Sequence, residues 1–167
     1  MDDGTTDDSN KLGAIGDIWF TIQNGNIDED VLIVAGDNFF TFPLNDYIEF
    51  YRQKKCDSIL VTEMDSLDDL RRMANAILDE NGKVLALEEK PQNPKSNCAV
   101  FASYIYRQDT LPLIGQYLKE GNNPDAPGFF PSWLYTRKPV LAYKFQGECY
   151  DIGTHDSYRD VCEKFGG

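Results

Sequence analysis

The sequence predicts a mixed α/β layer fold with a parallel start and antiparallel additions, and three observations predict it. Residues 31–35 (Val-Leu-Ile-Val-Ala) and 58–62 (Ser-Ile-Leu-Val-Thr) are short β-branched runs flanking an amphipathic helical stretch, a β-α-β alternation that favours a parallel pair with a right-handed crossover. Asn81-Gly82 then separates the apolar stretches 76–79 and 83–88, the strongest short-range signal for a hairpin. From Cys98 onward further strand and helix patterns run to the end of the chain. At 167 residues the chain has the size of one domain, able to bury about two thirds of the surface its unfolded form exposes.

In chain order, Leu12, Ile15, Ile18, Trp19 and Ile22 recur at helical spacing and place a helix over 11–24. The run 31–35 is continuously apolar and stops at Gly36-Asp37-Asn38, so it reads as a strand buried on both faces, followed by a turn before Phe39-Phe40. Pro43 opens a helix over 43–54 whose inner stripe is Leu44, Tyr47, Ile48 and Tyr51. The run 58–62 is the second doubly buried strand and the parallel neighbour of the first. After the hairpin come a strand over 98–106, a helix over 109–119 closed by Gly121, and a shorter helix over 129–135. Residues 140–145 alternate as a strand, Gly147 turns it, 148–152 follow, and Thr154 caps a last helix through Phe165. The first helix arrives with no strand before it, so the domain, 1–167, is expected to lack its opening strand–loop–helix unit.

The formal charge of −12 excludes a duplex nucleic-acid or anionic-membrane binder, which such a field would repel. Residues 1–30 carry eight acidic side chains against Lys11 alone, a solvated acidic entry segment. No cationic-then-apolar leader and no membrane-length apolar run are present. Cys56, Cys98, Cys149 and Cys162 form no CxxC pair and there is one histidine, which argues against zinc and for free thiols in a reducing cytoplasm.

Two carboxylates draw attention because both sit at strand ends, the edge where open α/β sheets bind ligands. Asp37 follows 31–35, and Asp151 stands in Tyr150-Asp-Ile-Gly-Thr-His155; together they can hold one Mg²⁺. Glu88-Glu89-Lys90-Pro91 ends a hairpin strand, where Lys90 can present an ammonium to phosphate while glutamate accepts from sugar hydroxyls. His155 has no Ser or Cys nucleophile motif beside it and is not read as catalytic. Neither a P-loop nor a G-x-G-x-x-G fingerprint occurs. A Mg²⁺-dependent phosphatase with Asp37 as nucleophile would need a second Asp two residues on, where Phe39 stands.

Taken in order, Asp3-Gly-Thr-Thr6, Leu12-Gly-Ala-Ile-Gly-Asp17, Val34-Ala-Gly-Asp-Asn38, Asp79-Glu-Asn-Gly82, Glu88-Glu-Lys-Pro91, Pro94-Lys-Ser-Asn97, Pro124-Asp-Ala-Pro-Gly128 and Tyr150-Asp-Ile-Gly-Thr154 resemble the sugar nucleotidyltransferases, within them the glucose-1-phosphate thymidylyltransferase-like NDP-sugar pyrophosphorylases. The resemblance implies a Rossmann-like mixed sheet of the nucleotide-diphospho-sugar transferase type. It implies transfer of a nucleoside monophosphate from an NTP, dTTP or UTP, to a sugar-1-phosphate, glucose-1-phosphate, with release of pyrophosphate and with Mg²⁺ as cofactor. By resemblance Asp37 and Asp151 are the metal pair, Asp37, Asp151 and Lys90 the catalytic set, Glu89 and Lys90 the sugar-phosphate contacts, Ala102 and Tyr104 the sugar-pocket wall, and Gly13 part of the base wall. The family's opening G-x-G-T-R-L loop and the Lys-Pro signature that grips the triphosphate with it (distinct from Lys90-Pro91) are missing, Ala74 replaces a usual Gly, and Cys149 replaces a usual Trp. The chain alone is therefore expected to turn over weakly or not at all. An exposed apolar sheet face where the first strand should lie, favouring a homo-oligomer or aggregation, is expected as well. The alternative is a non-catalytic regulatory relative that binds sugar phosphate or nucleotide sugar.

Overall fold

The computed structural model describes residues 2–7 and 10–166; Asp8, part of the acidic entry segment, lies outside the described residues. Helix α1 (Ala14–Asn24) is followed by β1 (Val31–Val34), β2 (Asn38–Phe40), α2 (Asn45–Lys54), β3 (Asp57–Glu63), the short α3 (Leu67–Leu70), β4 (Ala74–Leu78), β5 (Val84–Glu88) and β6 (Cys98–Tyr106). Then come α4 (Leu111–Lys119), entered through a 3₁₀ turn, α5 (Phe129–Leu134), β7 (Val140–Lys144), β8 (Cys149–Asp151) and α6 (His155–Phe165). The main sheet runs β5-β4-β6-β3-β7, with β1 also paired to β6, while β2 and β8 form a separate two-stranded ladder.

Strand β6 organises the sheet, and its side chains alternate between two cores as the period of 2 demands. Val100, Tyr104 and Tyr106 face Ile15 and Ile22 of α1, Ile114 and Tyr117 of α4 and Phe130 of α5. Ala99, Phe101 and Ile105 face Tyr47 and Tyr51 of α2, Leu70 of α3 and Phe145. The helices thus cover both faces, and β3 is buried on both, Ile59 and Val61 to one side and Leu60 to the other. Tyr47 is fully buried, and its hydroxyl donates to the Ser58 carbonyl at 2.7 Å, so the ring is packed and its polar end satisfied.

Two expectations are corrected. Residues 31–35 are not a doubly buried strand beside 58–62. β1 and β3 run in the same direction, but β6 occupies the slot between them, antiparallel to both. The parallel neighbour of β3 is β7. β1 lies on the outer flank of β6 with Leu32 and Val34 exposed, because a short apolar run reads alike at an edge and in a sheet centre. The stretch after Asp37 is no mere turn: Asn38–Phe40 pairs with a strand more than a hundred residues away, which no local periodicity signals. The 81–82 hairpin, the strand over 98–106 and the Thr154 cap are found as expected; Thr154 and Ser157 form a reciprocal capping box. Gly121 lies one position beyond the helix cap, at φ 76°, its N–H donating to the Leu118 carbonyl at 3.0 Å.

At the end of the sheet remote from residues 37 and 151, the buried Asp57 carboxylate ties β3 to the exit of β6. It accepts from Arg107 N–H at 2.8 Å and Thr110 Oγ1 at 2.8 Å, and Lys138 Nζ stands 3.3 Å away. Removing it leaves the Arg107 N–H and the Thr110 hydroxyl without their acceptor, while Lys138 keeps its ion pair with Asp109 at 2.8 Å. Asp57→Ala is expected to lower stability by about 3 kcal/mol in urea unfolding, and a loss below about 1 kcal/mol would contradict this role.

Candidate functional site

Along one flank of β6, β1 pairs with residues 103–106 and β4 with residues 99–100, leaving Phe101 and Ala102 between the two pairings. The β3–β6 register also shifts here, between Ile59 and Leu60. The carboxyl end of β1 and the start of β4 therefore diverge over the middle of β6, the kind of crevice in which open α/β sheets take ligands. A cavity of about 390 Å³ fills it, lined by Ala35, Asp37, Asn38, Arg72, Met73, Ala74, Glu89, Lys90, Ala102, Tyr104, Asp151 and the 126–128 loop, with Ala14 of α1 at one side. A groove of about 440 Å³ between α1 and α4 has no ionisable lining, whereas the β6 crevice gathers Asp37, Arg72, Glu89, Lys90 and Asp151.

Asp37 and Asp151 meet at its rim because β2 and β8 pair. Asn38 lies opposite Asp151 in the register, and Ile152 N–H donates to the Asp37 carbonyl at 2.7 Å. A Cβ placed on Gly153 would stand 3.0 Å from Asp151 Oδ1 and 3.6 Å from Asp37 Oδ2, so both carboxylates flank one glycine. Asp37 Oδ1 accepts from the Asn38 amide at 3.1 Å, and Asp151 Oδ1 from Gly153 N–H at 2.9 Å. Neither forms a salt bridge among the described residues, so each keeps acceptor capacity. No third His, Cys, Asp or Glu gathers with them among the described residues. Two hard oxygen donors on an open rim fit Mg²⁺, which completes its shell with water and phosphate oxygens rather than with a full protein cage.

Glu89 and Lys90 enter from the end of β5. Lys90 takes the left-handed conformation at φ 47°, its N–H bonds to the Met73 carbonyl at 3.2 Å, and buried Pro91 fixes the exit. Glu89 is half-buried and has neither a hydrogen bond nor a salt bridge among the described residues. Burial raises its pKa, and the nearby Lys90 charge offsets part of the rise. Tyr104 is buried, stacked on Tyr106 with ring centroids 5.8 Å apart. Burial, with the Glu89 charge second, holds its phenol well above the usual range. Ala102 lines the cavity from β6.

Gly13 does not line the cavity; its neighbour Ala14 does. Gly13 has φ 77°, and a Cβ on it would stand 2.7 Å from the Pro124 carbonyl oxygen, so its glycine serves the close approach of α1 to the 124–125 loop. His155 is exposed at the start of α6, outside the lining. Cys149 has its thiol pushed up to about 12 by burial and then by Asp151, and stays protonated. Phe39, at the position where a phosphatase would need its second Asp, packs on Phe165 with centroids 5.0 Å apart.

Two contributors were missed from sequence. Arg71 is engaged by Asp68 at 3.2 Å and the Gln92 carbonyl at 3.1 Å, whereas Arg72 has no side-chain partner among the described residues and lines the cavity. A basic pair just before a hairpin, in so acidic a chain, was the available signal. Gly128 is the other; a lone glycine in a loop gives no signal of what packs against it.

A model of the nucleotidyl transferase family matches residues 7–166. The chain belongs to that family. It is 30% identical over 135 residues to the glucose-1-phosphate adenylyltransferase of Thermomicrobium roseum, covering 77% of this chain and 31% of that protein. It is 33% identical over 159 residues to the enzyme of that name from Bacillus cytotoxicus, covering 84% and 41%. Among solved structures, a Bacillus anthracis protein assigned as a glucose-1-phosphate thymidylyltransferase, in complex with sucrose, superposes with TM-score 0.72 at 27% identity, over 93% of this chain and 62% of that one. A UDP-glucose pyrophosphorylase complexed with UDP-glucose shares the fold with TM-score 0.79 at 20% identity, over 93% and 62%. The chain therefore spans less than half the length of these curated relatives and under two thirds of these structures. The mixed sheet with helices on both faces is the nucleotidyltransferase-type Rossmann-like fold that the sequence implied.

Because the folded state raises the Glu89 pKa, its charge lowers stability as pH rises through the window between the usual glutamate value and the raised one. Glu89→Gln is expected to melt higher than the wild type at pH 7.5, the gap closing as pH falls to the usual glutamate range. A lower melting point at pH 7.5 would contradict the burial of an unpaired charge.

Proposed function

We propose that this domain transfers a nucleoside monophosphate from an NTP to glucose-1-phosphate. A phosphate oxygen of the sugar attacks the α-phosphorus, the bond from that phosphorus to the β-phosphate bridging oxygen breaks, and pyrophosphate leaves. The observation that carries this reading is the convergence of Asp37, Asp151, Glu89 and Lys90 on one cavity. Asp37 and Asp151 would hold Mg²⁺, which supplies charge neutralisation at the phosphates. Lys90 and Arg72 present the cations that hold the sugar phosphate, Glu89 accepts from sugar hydroxyls, and Ala102 and Tyr104 wall the ring. Positioning and charge, rather than a covalent intermediate, do the chemistry. The resemblance names dTTP or UTP as donor, and the adenylyltransferase relatives add ATP. The exposed β1 edge supports self-association, and the chain's own chemistry suits a cytoplasmic setting with free thiols.

One observation favours a second reading, binding without turnover. The cavity sets only Lys90 and Arg72 against Asp37, Asp151 and Glu89, a weak match for a triphosphate.

Pyrophosphate release, measured with glucose-1-phosphate, Mg²⁺ and ATP, dTTP or UTP in turn, separates the two. Slow release with one NTP is expected, falling at least about 100-fold in Asp37→Asn or Asp151→Asn. Arg72→Ala is expected to raise KM for glucose-1-phosphate about tenfold with kcat nearly kept. Calorimetric binding of glucose-1-phosphate with no release from any NTP would establish the second reading. Undiminished release by Asp37→Asn would overturn the first.

A further inference from the structure

We propose that Gly128 is a positioning residue for Glu89: its bare α-carbon is the surface against which the Glu89 carboxylate is seated in the cavity, and any side chain there expels it. The consequence for substrate rests on the reading of Glu89 as the acceptor for sugar hydroxyls; the seating itself does not. A Cβ on Gly128 would stand 1.8 Å from Glu89 Oε2 and 2.9 Å from Cδ, with the Ala74 methyl 3.2 Å away on another side. No rearrangement short of moving the carboxylate relieves the first contact.

The backbone gives no other reason for glycine. Gly128 lies at φ −71°, ψ −14°, the right-handed helical region that every L residue adopts, so its value is the missing side chain and not its conformational freedom. Its main chain is fixed: the Gly128 carbonyl accepts from Ser132 Oγ at 2.8 Å and Ser132 N–H at 3.2 Å, at the head of α5. Glu89 is the part able to yield, since its carboxylate ends a flexible side chain and no hydrogen bond or salt bridge holds it among the described residues. Packing rather than a hydrogen bond seats it: the carboxylate occupies the space that a side chain at Gly128 would take, and Ala74, buried beside both, closes that space. A substituted chain therefore folds, with Glu89 turned out of the cavity.

The test is a pair of measurements on wild type, Gly128→Ala, Glu89→Asp and the double variant. Carboxyl ¹³C titration, with the Glu89 signal assigned by its loss in Glu89→Gln, is expected to show Glu89 titrating above the usual glutamate range in the wild type and within it in Gly128→Ala. Calorimetry with glucose-1-phosphate is expected to show affinity about tenfold lower in Gly128→Ala than in wild type. In the Glu89→Asp background, where the carboxylate is drawn back by one methylene, Gly128→Ala is expected to change affinity no further; a merely structural glycine would weaken both backgrounds alike. An unchanged Glu89 titration in a folded Gly128→Ala protein would overturn the proposal. If the wild type binds no glucose-1-phosphate, the substrate reading falls while the titration still decides where Glu89 sits.

Discussion

The proposed site depends on a three-residue ladder. β2 and β8 pair residues that are more than a hundred positions apart, and only that pairing puts Asp37 and Asp151 on one rim. So short a ladder has little stability of its own and borrows it from its surroundings. Thr41 exchanges hydrogen bonds with Glu148 at 2.9 and 3.0 Å, closing the open end. Phe42 stacks on Phe145 with centroids 4.3 Å apart, fastening the ladder to the α2-side core. On its other face Phe39 and Tyr150 meet Phe165 of α6, a helix with no buried residue, held in part by Lys164 and Glu148 at 2.9 Å. The rim is thus the looser part of the molecule, the usual place for a site that must admit and release a ligand.

The rest of the cavity is mounted differently. Ala102 lies on β6 and Glu89 and Lys90 directly follow β5, at the end of the main sheet where β4, β5 and β6 are interlocked by register and by two buried cores. On the proposed reading, the half built on the main sheet would recognise the sugar phosphate and the β2–β8 half would carry the carboxylates for the metal. Charge is the reason a cation would matter here: three cavity carboxylates in a chain of formal charge −12 repel phosphates until the field is offset. Lys90 and Arg72 supply part of that offset.

Much of this was readable in advance, for physical reasons particular to each element. Asn81-Gly82 specifies its hairpin by turn chemistry alone, and Thr154 specifies a helix start by capping, because both signals are local. Asp37 and Asp151 were singled out because strand ends followed by polar turns are where α/β sheets place ligand groups. The place of β1 was misread, since four apolar residues do not reveal whether a later strand will insert between them and their expected neighbour, and β6 does so. β2 was invisible because its partner is remote. Arg72 and Gly128 were missed because their importance lies in what surrounds them: an arginine left unpaired while its neighbour is engaged, and a glycine needed for its empty space. Gly13 shows the converse, a glycine singled out for ligand contact whose place is to let α1 approach the 124–125 loop.

Under the proposed function Asp37 and Asp151 share one divalent cation, and Mn²⁺ reports on such sharing directly by broadening nearby amide signals. Substoichiometric Mn²⁺ added to ¹⁵N-labelled protein should erase the amide signals of residues 36–38 and 151–154 first, leave those around Asp57 and Arg107 sharp, and lose this selectivity in Asp151→Asn. Broadening centred elsewhere, on the acidic segment around Asp3 and Asp17 for instance, or a pattern unchanged in Asp151→Asn, would contradict it.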